Sequence, residues 1–246
     1  LLIEDFGGRT MVSQVAGIDV ERAAEAVKAL ALVHAEWWSS PKLETLTWMP
    51  RAVDQRIISA GGEYRRVWDH FVELFGDRLP EGAVALGERV GPSWEAVQTT
   101  FYERTPTTLC HGDFRADNLV FDDTATGREH VGILDWQIVY RSGGIGDICY
   151  LTTQSMTVED RRAHERELVD IWYDSVCSAL GAPPEGYTSE QAWTDYRSAA
   201  GNMTVYGVVA GGGMDPSNER GMELVTDMAC RSFAAALDLD AASFIP

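Results

Sequence analysis

The stretch LCHGDFRADNLVF, residues 109–121, places a histidine, two aspartates, an arginine and an asparagine between two short apolar runs. A further apolar run, VGIL, follows the turn-rich segment DDTATG at 122–127 and ends at Asp135. Two short apolar runs joined by turn residues predict a β-hairpin. Such a hairpin would bring the oxygen-bearing side chains of Asp113, Asn118 and Asp135 together.

That combination of side chains is typical of phosphoryl transfer from ATP, in which a carboxylate orients the attacking hydroxyl and oxygen ligands hold Mg²⁺. The spacing D-x-x-x-x-N from Asp113 to Asn118 matches the kinase catalytic loop, and Asp135 matches the metal-binding aspartate that follows it. We therefore expect Asp113 to be the catalytic base and Asn118 and Asp135 to bind Mg²⁺. Taken singly, each residue also fits an ordinary turn.

Outside the hairpin the chain shows mainly helical signals. Asp19 is a suitable N-cap, and apolar residues then recur at three- and four-residue steps as far as Ser39. No internal repeat or low-complexity linker divides the chain, which favours one mostly helical lobe. The predicted helices cover 19–38, 51–76, 93–104, 159–180, 189–209 and 217–237.

The composition argues against several classes of partner. The chain has 38 acidic and 20 basic residues, and its net charge of -18 opposes binding to nucleic acid or to an anionic membrane surface. No apolar run approaches the roughly 18 residues of a membrane span. Four widely separated cysteines indicate neither a zinc site nor a disulfide framework. These features predict a cytoplasmic protein without nucleic-acid or membrane partners.

The motifs HGD at 111–113 with Asn118, and ILDW at 133–136, resemble the kinase-like small-molecule phosphotransferases, the superfamily of aminoglycoside phosphotransferases and choline kinases. The segments DWQIVYRSGGIGDICYLT and VEDRRAHERELVDIWYDSV are similar to its ecdysteroid-kinase-like, or CHK-like, branch. The resemblance implies an α+β fold: a protein-kinase-like C-terminal lobe, mostly helical, with a small catalytic β-hairpin. It also implies ATP and Mg²⁺ as cofactors and a small-molecule hydroxyl as the phosphate acceptor.

The first residues, LLIEDF, are similar to the last N-lobe strand and hinge of that family. We therefore assign 1–7 to the strand and hinge and 8–246 to the C-lobe. The glycine loop, lysine and glutamate of the family's N-lobe have no counterpart in the chain, and we expect that lobe in the same gene product. The alternative is a non-catalytic C-lobe fragment or pseudokinase-like binding module. Adenine contacts are expected from Ile3, Glu4 and Phe6.

The resemblance also assigns roles around the base. Arg115 stands where protein kinases place a phosphate-contacting lysine, so it is expected to assist catalysis, although a surface salt bridge fits it nearly as well. His111 is expected to tie the loop to neighbouring backbone. Asp147, within GGIGDICY, is similar to the family's aspartate that braces the catalytic loop, and a helix N-cap is the alternative.

The sequence does not identify the molecule that accepts the phosphate. Members of the superfamily act on cationic amino sugars and choline, whereas the CHK-like branch favours a more apolar alcohol, which is the acceptor that we prefer. A metal-dependent phosphohydrolase is a weaker hypothesis, because the five histidines are scattered along the chain.

Overall fold

The computed structural model describes residues 7–125 and 130–245. Within them the chain is mostly helical, and none of the described helices is long and apolar enough to cross a membrane. The α-helices are α1 Val20–Glu36, α2 Gln55–Ile58, α3 Ala60–Phe75, α4 Ala83–Arg104, α5 Ile145–Ser155, α6 Val158–Leu180, α7 Ser189–Gly212 and α8 Glu219–Asp238.

The long helices predicted from apolar periodicity are present. The Asp19 side chain caps α1 by accepting a hydrogen bond from the backbone N–H of Arg22, and the buried stripe of α1 packs against α6. Helix α7 continues through Gly211 and Gly212, where the sequence predicted a break. A Cβ on Gly212 would lie 2.2 Å from Val67, so these glycines permit close helix packing rather than ending the helix.

The helix predicted over 51–76 is wrong in its first part. The chain forms a turn at 51–54, in which the Asp54 carboxylate accepts hydrogen bonds from the backbone and the side chain of Arg51. A side chain that bonds to nearby backbone in this way competes with helix formation. Helices α2 and α3 follow, and the predicted end at Gly76 is correct.

The helix predicted over 93–104 begins much earlier, at Ala83, and contains Pro92 in its interior. A proline inside a helix costs about 3 kcal/mol. The buried side chains of Leu86 and Trp94 flank it on the core face, and burial of a large apolar side chain stabilises by about 1.5–3 kcal/mol each. Packing of the apolar stripe therefore outweighs the break that Pro92 alone predicts.

Two small antiparallel sheets hold the functional loop. Strands β1 (Thr10–Met11), β3 (Leu119–Phe121) and β4 (Val131–Ile133) form one sheet in the order β1-β3-β4, which confirms the predicted hairpin. The second sheet, which the sequence did not predict, pairs β2 (Thr107–Cys110) with β5 (Tyr140–Gly143). Strand β2 enters the loop at 111–118 and β3 leaves it, so both ends of the loop are fixed.

Helix α5 is the centre of the lobe and was also missed. All eleven of its residues are buried, and it packs against α6, α7 and α8. A helix that is buried on every side lacks the one-sided apolar stripe by which helices are recognised in sequence. Its position matters because Asp147, Tyr150 and Ser155 all reach from α5 to the functional loop.

A buried arginine joins α6 to α8. The Arg161 side chain is 1% exposed; it donates to the Glu165 carboxylate at 2.9 Å and to the carboxylate of Asp238. Burial raises the pKa of Asp238, but hydrogen bonds from Arg162 and Arg161 outweigh that effect and leave the pKa below its usual value. Asp238 is therefore an ionised partner that balances the buried charge of Arg161.

Candidate active site

The HGD turn depends on its glycine. Gly112 has φ = 86°, in the left-handed region, where residues with a Cβ are strained. A Cβ at this position would also lie 2.7 Å from the backbone oxygen of Ile138. The turn leads directly into Asp113, whose side chain remains partly exposed.

Three side chains donate hydrogen bonds to the carboxylate of Asp113. The Tyr150 hydroxyl donates to Oδ1 at 2.9 Å, Asn118 Nδ2 donates to Oδ2 at 2.9 Å, and Arg115 Nε lies 3.2 Å from Oδ1 and 3.3 Å from Oδ2. Burial raises the pKa of Tyr150 well above its usual value, so this hydroxyl keeps its proton and remains a donor. The Asp113 side chain is still 21% exposed and can meet a substrate.

Arg115 is engaged by carboxylates in this structure. Its guanidinium contacts Asp113 through Nε and donates to Asp117 Oδ2 through Nη1 at 3.0 Å. Both contacts are within the loop, so Arg115 supplies positive charge directly beside Asp113. Arg115 therefore lies beside Asp113 and forms ion pairs there. A salt bridge was the alternative that the sequence left open for this residue.

Asn118 and Asp135 are brought close by the β3–β4 pairing. Leu119 lies opposite Ile133, and the backbone N–H of Leu134 donates to the Asn118 carbonyl at 2.8 Å. Asp135, the next residue, adopts the left-handed conformation with φ = 59°, which aspartate tolerates better than most residues. The carboxylate of Asp135 is exposed at the same edge of the sheet at which Asn118 ends the loop.

These two side chains have the donor chemistry that Mg²⁺ prefers. Asn118 Nδ2 donates to the Asp113 carbonyl and carboxylate, which leaves Oδ1 without a hydrogen bond from any described residue. The Asp135 carboxylate accepts one long hydrogen bond, from Gln137 Nε2 at 3.3 Å. One neutral and one charged oxygen fit Mg²⁺ held jointly by protein and by nucleotide phosphates.

His111 is used structurally through both ring nitrogens. Nδ1 accepts a hydrogen bond from the backbone N–H of Asp113 at 3.2 Å, so the proton resides on Nε2, which donates to the Leu134 carbonyl at 2.7 Å. The ring also contacts Trp136 edge to face at 4.6 Å. His111 therefore joins the loop to the strand end beside Asp135 and leaves no ring nitrogen for proton transfer.

Asp147 holds the loop backbone from α5. Its carboxylate is 1% exposed and accepts from the N–H groups of His111 at 2.7 Å and Gly112 at 3.0 Å. His34 Nε2 lies 3.2 Å from the same carboxylate, and His34 Nδ1 accepts from the Trp172 indole at 2.9 Å. A buried chain of hydrogen bonds thus runs from α6 through α1 and α5 to the HGD turn.

A second brace reaches the far end of the loop. Gln14 Oε1 accepts from the backbone N–H of Ala116 at 3.0 Å and from the Ser155 hydroxyl at 2.9 Å. The backbone N–H of Gln14 donates to Asp117 Oδ1 at 2.9 Å. The Gln14 side chain is buried, so it fixes the loop between the HGD turn and Asn118.

A cavity of about 420 Å³ opens beside the HGD turn. Gly112, Tyr140 and Tyr206 form part of its lining, and the Tyr206 ring contacts the Tyr150 ring edge to face at 4.6 Å. Apolar walls come from α2, α3 and α7 and from the segment before β5. The cavity has room for a small molecule beside the turn that precedes Asp113.

Comparison with known proteins identifies the family. The model of the phosphotransferase enzyme family (APH) matches residues 1–149, more than half of the chain. The chain belongs to the phosphotransferase enzyme family. A second family, described as "Uncharacterized oxidoreductase dhs-27" (DUF1679), matches residues 104–214, which is less than half of the chain. No curated protein sequence matches the chain.

Solved structures share the fold of this phosphotransferase. An ethanolamine kinase from Plasmodium vivax superposes with a TM-score of 0.53 at 13% identity, over 98% of this chain and 65% of that protein. A candidate aminoglycoside phosphotransferase from Ralstonia eutropha superposes with a TM-score of 0.50 at 17% identity, over 96% of this chain and 72% of that protein. The chain therefore spans less than two thirds of the length of the ethanolamine kinase.

The sequence motifs located part of this candidate site and missed the rest. The predicted adenine contacts Ile3, Glu4 and Phe6, and the predicted strand and hinge that contain them, lie outside the described residues except for position 7. Tyr150, Gln14 and His34 were not predicted to act at the site. No local signal distinguishes them, since each reaches the loop from a different element.

Proposed function

We propose that this phosphotransferase transfers the γ-phosphate of ATP to the hydroxyl of a small molecule in a Mg²⁺-dependent reaction. The observation that carries the proposal is the carboxylate of Asp113, which is held by three donors and follows Gly112, a residue that lines a cavity of about 420 Å³. Kinase-type transfer requires an oriented carboxylate at the acceptor hydroxyl and oxygen ligands near the phosphates. The family and the fold support the same reaction class.

In this reaction the acceptor oxygen attacks the γ-phosphorus, the bond from that phosphorus to the bridging oxygen breaks, and ADP leaves. Asp113 orients the acceptor hydroxyl and accepts its proton as the new P–O bond forms. Tyr150 and Asn118 hold this carboxylate in one orientation, and Arg115 adds positive charge beside it. Asn118 Oδ1 and Asp135 would hold Mg²⁺. The bound ion would neutralise negative charge that develops on the phosphates.

We further propose that the N-lobe of the family belongs to the same gene product. The lengths of the related kinases support this proposal, because the chain covers 65% and 72% of them. In that arrangement the N-lobe supplies the glycine loop and the lysine that contact the phosphates. The activity is therefore expected of the whole protein.

The test is an acceptor screen with the whole gene product, in which ADP release is measured against amino sugars, amino alcohols and apolar alcohols. The Asp113→Asn variant is expected to lose about 10²–10⁴ in kcat, the range for a positioned general base. Asp174→Asn, at an exposed position on α6 away from the loop, is the matched control. Near-normal turnover by Asp113→Asn would remove the role proposed for Asp113.

A further inference from the structure

The cavity beside the HGD turn differs in charge from the rest of the protein. Among the described residues that line it, Arg56 is the one charged side chain, and no carboxylate takes part in the lining. Arg56 forms no ion pair or side-chain hydrogen bond with residues 7–125 and 130–245. In a chain with a net charge of -18, an unpaired arginine at a cavity indicates attraction of a negative group.

One further polar group of the lining is a donor. Gln98 Oε1 accepts from Asn202 Nδ2 at 3.2 Å, which leaves the amide NH₂ of Gln98 as its available group. A donor without a protein partner at a cavity favours a ligand that brings an acceptor oxygen.

The remaining surface of the cavity is apolar. Trp48, Ile57, Val205 and Val209 contribute to it, together with Ile138 from the segment before β5. An amino sugar or an amino alcohol would bury its ammonium groups here without a lining carboxylate, and an unpaired buried charge is strongly unfavourable. The carboxylate of Asp113 beside the cavity already accepts from three donors of its own. The cavity therefore selects against the cationic acceptors that the related proteins suggest.

We propose, on the basis of the proposed function, that the phosphate acceptor is an apolar hydroxy acid. Its hydroxyl lies at Asp113, its apolar body fills the cavity, and its carboxylate binds the guanidinium of Arg56. Gln98 donates to a further acceptor oxygen of the same molecule. Arg56 thus selects acceptors by their charge. It is not one of the groups proposed to carry out the transfer.

The first experiment measures binding without nucleotide, so that it does not depend on turnover. The probes are three benzyl alcohols that differ in one para substituent: hydroxymethylbenzoic acid, benzenedimethanol and aminomethylbenzyl alcohol. Calorimetry on the protein is expected to give the acid about fivefold to tenfold tighter binding than the amine, since one partly exposed charge-assisted hydrogen bond is worth about that factor. The preference should weaken as salt concentration rises.

Arg56→Gln is expected to abolish the preference for the acid, and Arg56→Glu is expected to reverse it in favour of the amine. Arg220→Gln, another exposed arginine without a described partner and outside the cavity, is the control and should retain the preference. Tighter binding of the amine by the unaltered protein would overturn the proposal. So would equal binding of all three probes, absence of binding by any of them, or an unchanged preference in Arg56→Gln.

The second experiment separates this inference from the proposed function. ADP release and phosphate transfer to the same three probes are measured with ATP and Mg²⁺. Transfer to the amine in preference to the acid would leave the phosphotransferase function intact and overturn the acceptor class. Selective binding of the acid, with no transfer to any acceptor in a wider screen, would support the binding role of Arg56 and contradict the proposed function.

Discussion

Removal of one hydroxyl group tests whether Tyr150 positions the catalytic carboxylate. In Tyr150→Phe the aromatic ring keeps its place against Tyr206, while the hydrogen bond of 2.9 Å to Asp113 Oδ1 is lost. A hydrogen bond to a charged group contributes about 1.5–3 kcal/mol. Asn118 and Arg115 still hold the other side of the carboxylate, so we expect the effect to lie at the lower end of that range.

Because about 1.4 kcal/mol corresponds to a factor of ten in rate, kcat should fall about 10- to 30-fold in Tyr150→Phe. The KM for ATP should change by less than about twofold, since the lost hydroxyl does not contact the proposed metal ligands. The assay is steady-state ADP release with an acceptor found in the screen, together with a thermal melt of each variant.

The matched control is Tyr64→Phe. The Tyr64 hydroxyl is also buried, and it donates to the Gly87 carbonyl at 3.0 Å between α3 and α4, away from the loop. Both variants lose one buried hydrogen bond, so both should lose stability: about 0.5–1.5 kcal/mol in Tyr64→Phe, where the acceptor is neutral, and about 1.5–2 kcal/mol in Tyr150→Phe, where it is charged. If kcat is the same in Tyr150→Phe as in Tyr64→Phe, the hydroxyl of Tyr150 does not position Asp113 and our reasoning is refuted.

Three further predictions concern the supports of the site and the fold. In Gly144→Ala the new Cβ would lie 2.6 Å from His34 Nδ1, so the thermal melt should show a loss of about 1–3 kcal/mol in stability and kcat should fall. In the control Gly146→Ala the nearest neighbour lies at 3.7 Å, so stability and kcat should stay unchanged. Asp238→Asn should destabilise the protein at neutral pH by about 1.5–3 kcal/mol, because Arg161 loses one of its two carboxylate partners. The pKa of Asp238 is lowered on folding, so this contribution exists above the unfolded value near 3.8 and disappears as pH falls through the lower folded value. The denaturation curves of variant and parent should therefore converge at strongly acid pH, and a constant difference would contradict the assignment. Asp135→Asn should raise the Mg²⁺ concentration for half-maximal activity by about tenfold or more, because a neutral amide replaces a charged ligand; an unchanged Mg²⁺ titration would exclude Asp135 as a ligand.

The helices differ in how well sequence predicts them. Helices α1, α6 and α8 each present mainly one buried face, and their apolar residues therefore recur with the helical period. Helix α5 and the middle of α7, residues 198–205, are buried all round, and α4 continues through Pro92 because of its packing. In these three helices the deciding contacts come from other parts of the chain.

At the candidate site, too, some features depend on neighbours along the chain and others on contacts between distant parts of it. Asp113, Asn118 and Asp135 lie within 23 positions of one another and are joined by a single hairpin, so a local motif was sufficient to find them. Tyr150 and Gln14 reach the loop from α5 and from the segment before α1, and they make contact only after the helices pack. No spacing rule connects them to the motif.

By itself, the sequence determined the hairpin, the cluster of oxygen-bearing side chains on it and the identity of the long amphipathic helices, because each depends on neighbours along the chain. Only the tertiary structure decided which groups hold the Asp113 carboxylate, how α5 supports the loop through Asp147, and where Arg56 stands relative to the cavity. Those features depend on distances between residues far apart in the chain. Such distances are set by the packing of whole helices against one another.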